Sequence, residues 1–196
     1  MSIVISDGTG SGKLTGVTSN NRIKAAAVSY TGLEAGSIGF NGYYVDTGVV
    51  TLTTAGESAV IYVKNTHNTL LLQLSTILYS FGNSNVVGDI IVKSYINSIG
   101  GTIISAGSAP SVSNRNLGST VPAQISAFVG GEGKTITGGT LGLSRIYSTP
   151  RTDLVSPGVI LPVGANLTTT VQPPTGNTSI KVGVAYVIQF LDVNEI

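Results

Sequence analysis

The stretch Ile180–Phe190 reads IKVGVAYVIQF. Ile180, Val182, Val184, Tyr186, Ile188 and Phe190 alternate with Lys181, Gly183, Ala185, Val187 and Gln189. Successive side chains of a strand point to opposite faces, so this period of two predicts a strand with one buried face. The other face carries small residues and a valine, which predicts partial cover there too. Shorter runs of the same character lie upstream: Val49–Thr54 (VVTLTT), Ser58–Lys64 (SAVIYVK), Asp89–Ile96 (DIIVKSYI), Ala123–Val129 (AQISAFV) and Gly158–Val163 (GVILPV). Their Val, Ile, Thr and Tyr suit a pleated, half-buried surface. Glycines (26) and prolines (7) punctuate the chain between them.

Helical periodicity is nearly absent. Arg22–Tyr30 contains an alanine run, but Val28, Tyr30 and Gly32 favour a strand. The spacing predicts about eleven to thirteen short strands, hence an all-β sandwich or barrel rather than a βαβ fold. No repeat of 20–50 residues is evident, which argues against a propeller or solenoid. The 196 residues divide into a flexible N-terminal arm, residues 1–16, and a single β-sandwich domain, residues 17–196. Ser6–Gly16 has too few apolar side chains to pack. Ile99–Gly118, rich in Gly, Ser and Asn and without charge between Lys93 and Arg115, reads as a long surface excursion.

Composition removes several kinds of chemistry. There is no cysteine, so disulfides, thiolate nucleophiles and cysteine-based zinc sites are excluded. Charged residues make up 10% of the chain, against about 25% in an average soluble protein. Ten basic and nine acidic residues leave a formal net charge of +1, so the basic surplus of a nucleic-acid binder is missing. Such a near-neutral surface favours association with neutral protein surfaces. Mean hydropathy is positive. The most apolar run, Leu70–Phe81, is nonetheless short for a spanning helix and is interrupted by Gln73, Ser75, Thr76 and Ser80. Met1–Gly12 has no basic segment followed by an apolar core. The expectation is a soluble protein made in the cytoplasm, with no partner among membranes or nucleic acids and no cofactor or metal.

Local motifs point the same way. Gly8–Lys13 departs from a phosphate-binding loop, with Asp7 in place of the first glycine and Leu14 in place of Ser/Thr. His67, the single histidine, sits in the turn-like Asn65-Thr66-His67-Asn68 and reads as an exposed loop residue. The nine acids are scattered singly, often beside glycine, and Gly56-Glu57 and Gly131-Glu132 read as hairpin turns. A glycan-degrading enzyme would need two carboxylates roughly 5–9.5 Å apart, and this spread of acids counts against one. Tyr43-Tyr44 puts one ring on each face of a strand, so one is expected to be exposed, for packing at an interface or for stacking on a sugar.

Several segments taken in order resemble structural proteins of tailed bacteriophages, of the head decoration or cement type, and related head-fibre proteins. They are Asn20–Ala25 (NNRIKA), Gly56–Asn65 (GESAVIYVKN), Asn114–Ser119 (NRNLGS), Ile160–Gly164 (ILPVG) and Val171–Ser179 (VQPPTGNTS). The resemblance spans about residues 20 to 190 and transfers no catalytic residue. It implies a jelly-roll-like antiparallel β-sandwich that binds the major capsid protein on the outer surface of the virion, stabilises the capsid lattice after assembly in the host cytoplasm, and associates with itself as a trimer or dimer. The residues expected at interfaces are Lys13, Leu14, Tyr43, Tyr44 and Arg115. The alternative expectation is a carbohydrate-binding β-sandwich module of a phage fibre or spike. An arm such as Met1–Gly16 could add a strand to a neighbour, a contact that a lattice would multiply. Deleting Met1–Gly16 is expected to weaken capsid binding while leaving the circular dichroism spectrum and unfolding midpoint unchanged; undiminished occupancy on the capsid would remove the arm from the binding surface.

Overall fold

The computed structural model describes residues 41–82, 88–148, 151–176 and 179–191. The arm at residues 1–16, with Lys13 and Leu14, and the strand expected within Arg22–Tyr30 lie outside the described residues. Among the described residues the elements are β1 (Gly42–Asp46), β2 (Val50–Leu52), β3 (Ser58–Asn65), β4 (Leu71–Gly82), β5 (Ile90–Ile96), α1 (Thr102–Ala106), β6 (Ser111–Asn114), β7 (Ile125–Val129), β8 (Thr140–Tyr147), β9 (Thr152–Val155), β10 (Val159–Leu161), β11 (Asn166–Gln172) and β12 (Ile180–Leu191). The run too polar to span a membrane is β4, one of the two longest strands. Its partner β12 contains the alternating stretch from which the sequence reading began.

The strands form two antiparallel sheets, a β-sandwich. One sheet runs β10-β4-β12-β1-β6, with β9 also on β4 and β2 also on β12; the other runs β7-β3-β11-β5-β8. β1 pairs with Ala185–Gln189 and β2 with Ile180–Val182, so the two lie end to end along β12. β9 and β10 lie end to end along β4 in the same way. Counting each such pair as one interrupted strand, every connection changes sheet except that from β7 to β8, which joins opposite edges of the five-stranded sheet.

Alternation explains the core. The inward positions of β12 and β4, including Val182, Val184, Tyr186, Ile188, Leu74, Ile77 and Tyr79, are enclosed between the sheets with Val60, Val63, Val92 and Leu167 opposite. Each buried side chain of this size contributes roughly 1.5–3 kcal/mol. Polar atoms inside are paired in a chain: the Tyr186 hydroxyl lies 2.6 Å from Thr169 Oγ1, which lies 2.9 Å from Ser94 Oγ. Burial pushes the Tyr186 hydroxyl well above the usual tyrosine range, so it remains a neutral hydrogen-bonding group.

The connection from β5 to β8 corrects the expected loop at Ile99–Gly118. It contains α1, β6 and β7 and lays α1 on the outer side of β3 and β7. Ile103 of α1 is fully enclosed there against Ala59 and Tyr62, with Ile104, Phe128 and Ile136 around them. The apolar Ile103-Ile104 pair within the Gly/Ser-rich stretch is the physical reason that the segment packs instead of ranging over the surface. Two glycines permit this close approach. A Cβ on Gly101, whose φ is 127°, would lie 2.2 Å from the Thr135 carbonyl oxygen, and one on Gly130 would lie 1.9 Å from that of Ala59.

The hairpin reading of the two Gly-Glu pairs is also corrected. Gly56-Glu57 lies on the crossover from β2 to β3, which belong to different sheets, and Gly131-Glu132 on the connection between the edge strands β7 and β8. The glycines mark breaks in the strands, while each following segment is drawn to a non-adjacent partner.

Gly130→Ala should lower unfolding stability by about 3 kcal/mol or more, since backbone sits where the methyl would go. Urea denaturation measures this; an unchanged midpoint would show that the Ala59–Gly130 approach is loose.

Candidate functional site

The outer sides of the two sheets differ in kind. The five-stranded sheet is partly covered by α1, and beside that cover it carries a closed polar cluster. Glu57 Oε2 accepts from Lys93 Nζ at 2.6 Å, and Glu57 Oε1 accepts from Thr170 Oγ1 at 2.6 Å and Tyr95 hydroxyl at 3.1 Å. Burial pushes the Glu57 carboxyl up, but the hydrogen bonds from Lys93, Thr170 and Tyr95 and the Lys93 charge outweigh it, so its pKa lies below the usual glutamate value. The same bond to Glu57 is the main cause that holds Lys93 above its usual value. A carboxylate with three donors is committed to the fold rather than free to act as a base.

The seven-stranded sheet has no described helix or strand packed over its outer side. The strand registers place the outward side chains in rows. Asp46, Ala185, Leu78 and Leu154 form one row, Ser113, Tyr44, Val187 and Thr76 the next, and Gln189, Gln73 and Ile160 the third, where Gln189 is buried and donates to Gln73. Leu154 is 69% exposed and Tyr44 42%, while Val49, at the break between β1 and β2, is 72% exposed. Asp46 and Lys181 are the charges that the described strands place on this side.

A trough of about 380 Å³ runs along one end of this face, with Gly82, Gly183 and Ala185 among its lining residues and Val49 and Leu78 beside them. A Cβ on Gly183 would meet its nearest atoms at 3.5 and 3.6 Å, an ordinary contact distance. Neither crowding nor backbone conformation therefore demands a glycine there, and its effect is to keep the trough deep. A mainly neutral surface with exposed apolar side chains and a recess can meet a protein surface of matching shape.

The structure separates the residues expected at an interface. Tyr44 and Arg115 come together at the rim of the open face, with the Arg115 guanidinium 5.7 Å from the Tyr44 ring centre. Tyr43 points inward instead; it is 2% exposed, stands edge-on to Phe190, and donates its hydroxyl to the Pro122 carbonyl at 3.3 Å. Strand alternation dictates that only one of this adjacent pair faces outward. Lys13 and Leu14 lie outside the described residues. The outward residues Leu154, Leu78 and Ala185 were missed by the sequence reading, because only the strand register brings β9 beside β4 and β12.

His67 is half-buried, which corrects its reading as an exposed loop residue. Its Nδ1 accepts backbone N–H bonds from Leu70 at 3.0 Å and Thr69 at 3.1 Å, and its ring packs 5.3 Å from that of Phe190. The imidazole closes the turn between β3 and β4. No group of three or more His, Cys, Asp and Glu side chains suited to a metal occurs among the described residues. No described helix is long and apolar enough to cross a membrane.

Comparison with protein-family models, curated protein sequences and solved structures gives no significant match to this chain.

Glu57→Gln is expected to cost about 1–2 kcal/mol, because a charged acceptor with three donors becomes neutral. The sign with pH follows from the lowered pKa. The unfolded chain takes up the Glu57 proton first as pH falls, so the stabilisation is present above the usual glutamate range and is lost as pH drops through the lowered folded value. Stability measured against pH should fall less steeply below that range in Glu57→Gln than in the parent. Parallel curves would show that the cluster does not couple to folding.

Proposed function

We propose that this protein is a non-enzymatic structural component of a virus particle, which seats the open face of its seven-stranded sheet on the capsid and reinforces the lattice of major capsid subunits. The single observation carrying this reading is that face: two twelve-residue strands side by side, few charges, exposed Leu154, Tyr44 and Val49, and a recess lined in part by glycine and alanine. Burying a neutral face carries little of the desolvation cost that charged groups impose. The resemblance to tailed-phage decoration and head-fibre proteins adds to it.

The strand order supports a jelly-roll framework. With β1/β2 and β9/β10 each counted as one interrupted strand, the order β1/β2-β12-β4-β9/β10 faces β3-β11-β5-β8. This order matches the nesting of two Greek keys in an eight-stranded double sheet, which supports that reading. On this reading β6 and β7 are additions that extend one sheet each, both carried by the connection from β5 to β8. Self-association, as a trimer or dimer, belongs to the same proposal, since closed symmetry is the usual outcome for identical copies.

A carbohydrate-binding module would group exposed aromatic rings in a groove. Tyr44 is the one aromatic among the large apolar side chains exposed in the described residues. The capsid-binding reading therefore has the greater support.

Leu154→Asp places an unpaired charge on the open face without touching the core. Its binding to capsids stripped of outer proteins, followed by cosedimentation, should fall at least about tenfold, with an unfolding midpoint close to that of the parent. If the parent protein also leaves such capsids unbound and sediments as a monomer, the capsid reading falls.

A further inference from the structure

Opposite the β6/β7 side, the sandwich opens between β8 of one sheet and β9 and β10 of the other. A cavity of about 160 Å³ lies in that opening. Its walls are apolar: Ile77, Ile96, Leu143, Val155, Val159 and Leu167 line it. Three polar side chains also line it, Ser94, Arg145 and Ser156.

Arg145 is unusual in its bonding. It lies on β8 at a position paired with the buried Val92. Its Nε is buried and has no hydrogen-bond partner. Its nearest acid is Asp153, with Nη1 to Oδ2 at 3.6 Å, beyond hydrogen-bond length. That Asp153 oxygen instead accepts from the Tyr147 hydroxyl at 2.9 Å. A second guanidinium, Arg151, stands 4.0 Å from the same oxygen and over the Tyr147 ring at 5.0 Å. Two positive charges thus surround one negative charge, leaving a surplus of one (2 − 1) at this mouth. An unmade bond at a buried donor is unfavourable. A buried guanidinium nitrogen without a partner, an apolar cavity and a surplus cation together describe a place for a ligand with an anionic end.

We infer that this opening is a binding site for a compact organic carboxylate, whose carboxylate pairs with the Arg145 guanidinium and whose apolar body fills the cavity between β8, β9 and β10. Arginine presents parallel N–H groups that match a carboxylate in a two-point contact. The apolar walls favour a short alkyl or single-ring acid over an inorganic anion. The site lies at the open edge of the sandwich, away from the outward rows of the seven-stranded sheet, and stands independently of the capsid reading.

The test is isothermal titration of the full chain with benzoate and hexanoate, with benzamide as the neutral counterpart of benzoate and inorganic phosphate as an anion without an apolar body. Saturable binding of at least one carboxylate is expected, with benzamide and phosphate at least about tenfold weaker. Arg145→Gln should reduce carboxylate binding by a similar factor. Leu143→Phe, which fills the cavity and keeps the guanidinium, should also reduce it and serves as the deciding variant if Arg145→Gln fails to fold. Three results would overturn the assignment: no saturable carboxylate binding, as for a cavity that holds only water; benzamide or phosphate binding as tightly as benzoate; or full binding retained in a folded Arg145→Gln or Leu143→Phe protein.

Discussion

The antiparallel ladder between β4 and β12 is the constraint on which the rest depends. It is paired from Lys181↔Gly82 to Leu191↔Leu71, with one irregularity at Val187/Ile188. Every other strand of the larger sheet is placed by one of these two: β1 and β2 attach to β12, β9 and β10 to β4, and β6 reaches the sheet only through β1. The partners are about a hundred residues apart, so the closure entropy of a long loop precedes any gain from the ladder. A one-residue slip would turn Val182, Val184 and Tyr186 outward and Lys181 and Gln189 inward, which makes the register nearly unique. The same register that buries Tyr186 sets Ala185 beside Leu78 and Leu154 on the far side. Core and outer face are thus fixed by one set of backbone bonds.

The two outer faces solve the exposure problem differently. On the five-stranded sheet the chain covers itself: the segment between β5 and β8 carries Ile103 onto Ala59 and Tyr62. What it leaves open is closed by Glu57, Lys93, Tyr95 and Thr170 acting on one another. On the seven-stranded sheet no comparable polar cluster joins the described residues, and Leu154 and Val49 remain exposed. A protein with so few charges has little to spend on solvating a face, and those it has at Glu57 and Lys93 are engaged in a contact of the fold.

How much was legible in the sequence follows from burial chemistry. β12 was readable because its two faces differ in side-chain type at every second position, and β3, β5 and β7 because apolar β-branched runs lie between glycines. β11, with the sequence NLTTTVQ, was not singled out, although it is central in its sheet and almost wholly buried. Its buried polar side chains are satisfied by distant partners: Asn166 exchanges bonds with Ser98, Thr168 donates to Ser98, and Thr169 meets Ser94 and Tyr186. Pattern reading counts threonine as half polar and cannot know that a partner lies some seventy residues away. The candidate site was visible only at Tyr44 and Arg115, because an outer face is a property of register and no local run of residues spells it.

Low charge constrains how such a face can discriminate between partners. Charged interfaces reject wrong partners by like-charge repulsion and gain speed from long-range steering. Asp46 and Lys181, with Arg115 at the rim, supply little of either. Selectivity on a neutral β-face must come from shape: a recess lined by Gly82, Gly183 and Ala185 accepts a protruding side chain only where the flanking Leu154, Val49 and Tyr44 also find contact. Such a contact is weak for one copy, because association costs freedom that a modest area does not offset. It becomes effective where many copies sit on a repeating surface or where copies bind each other first. In the proposed function, the capsid lattice is that repeating surface.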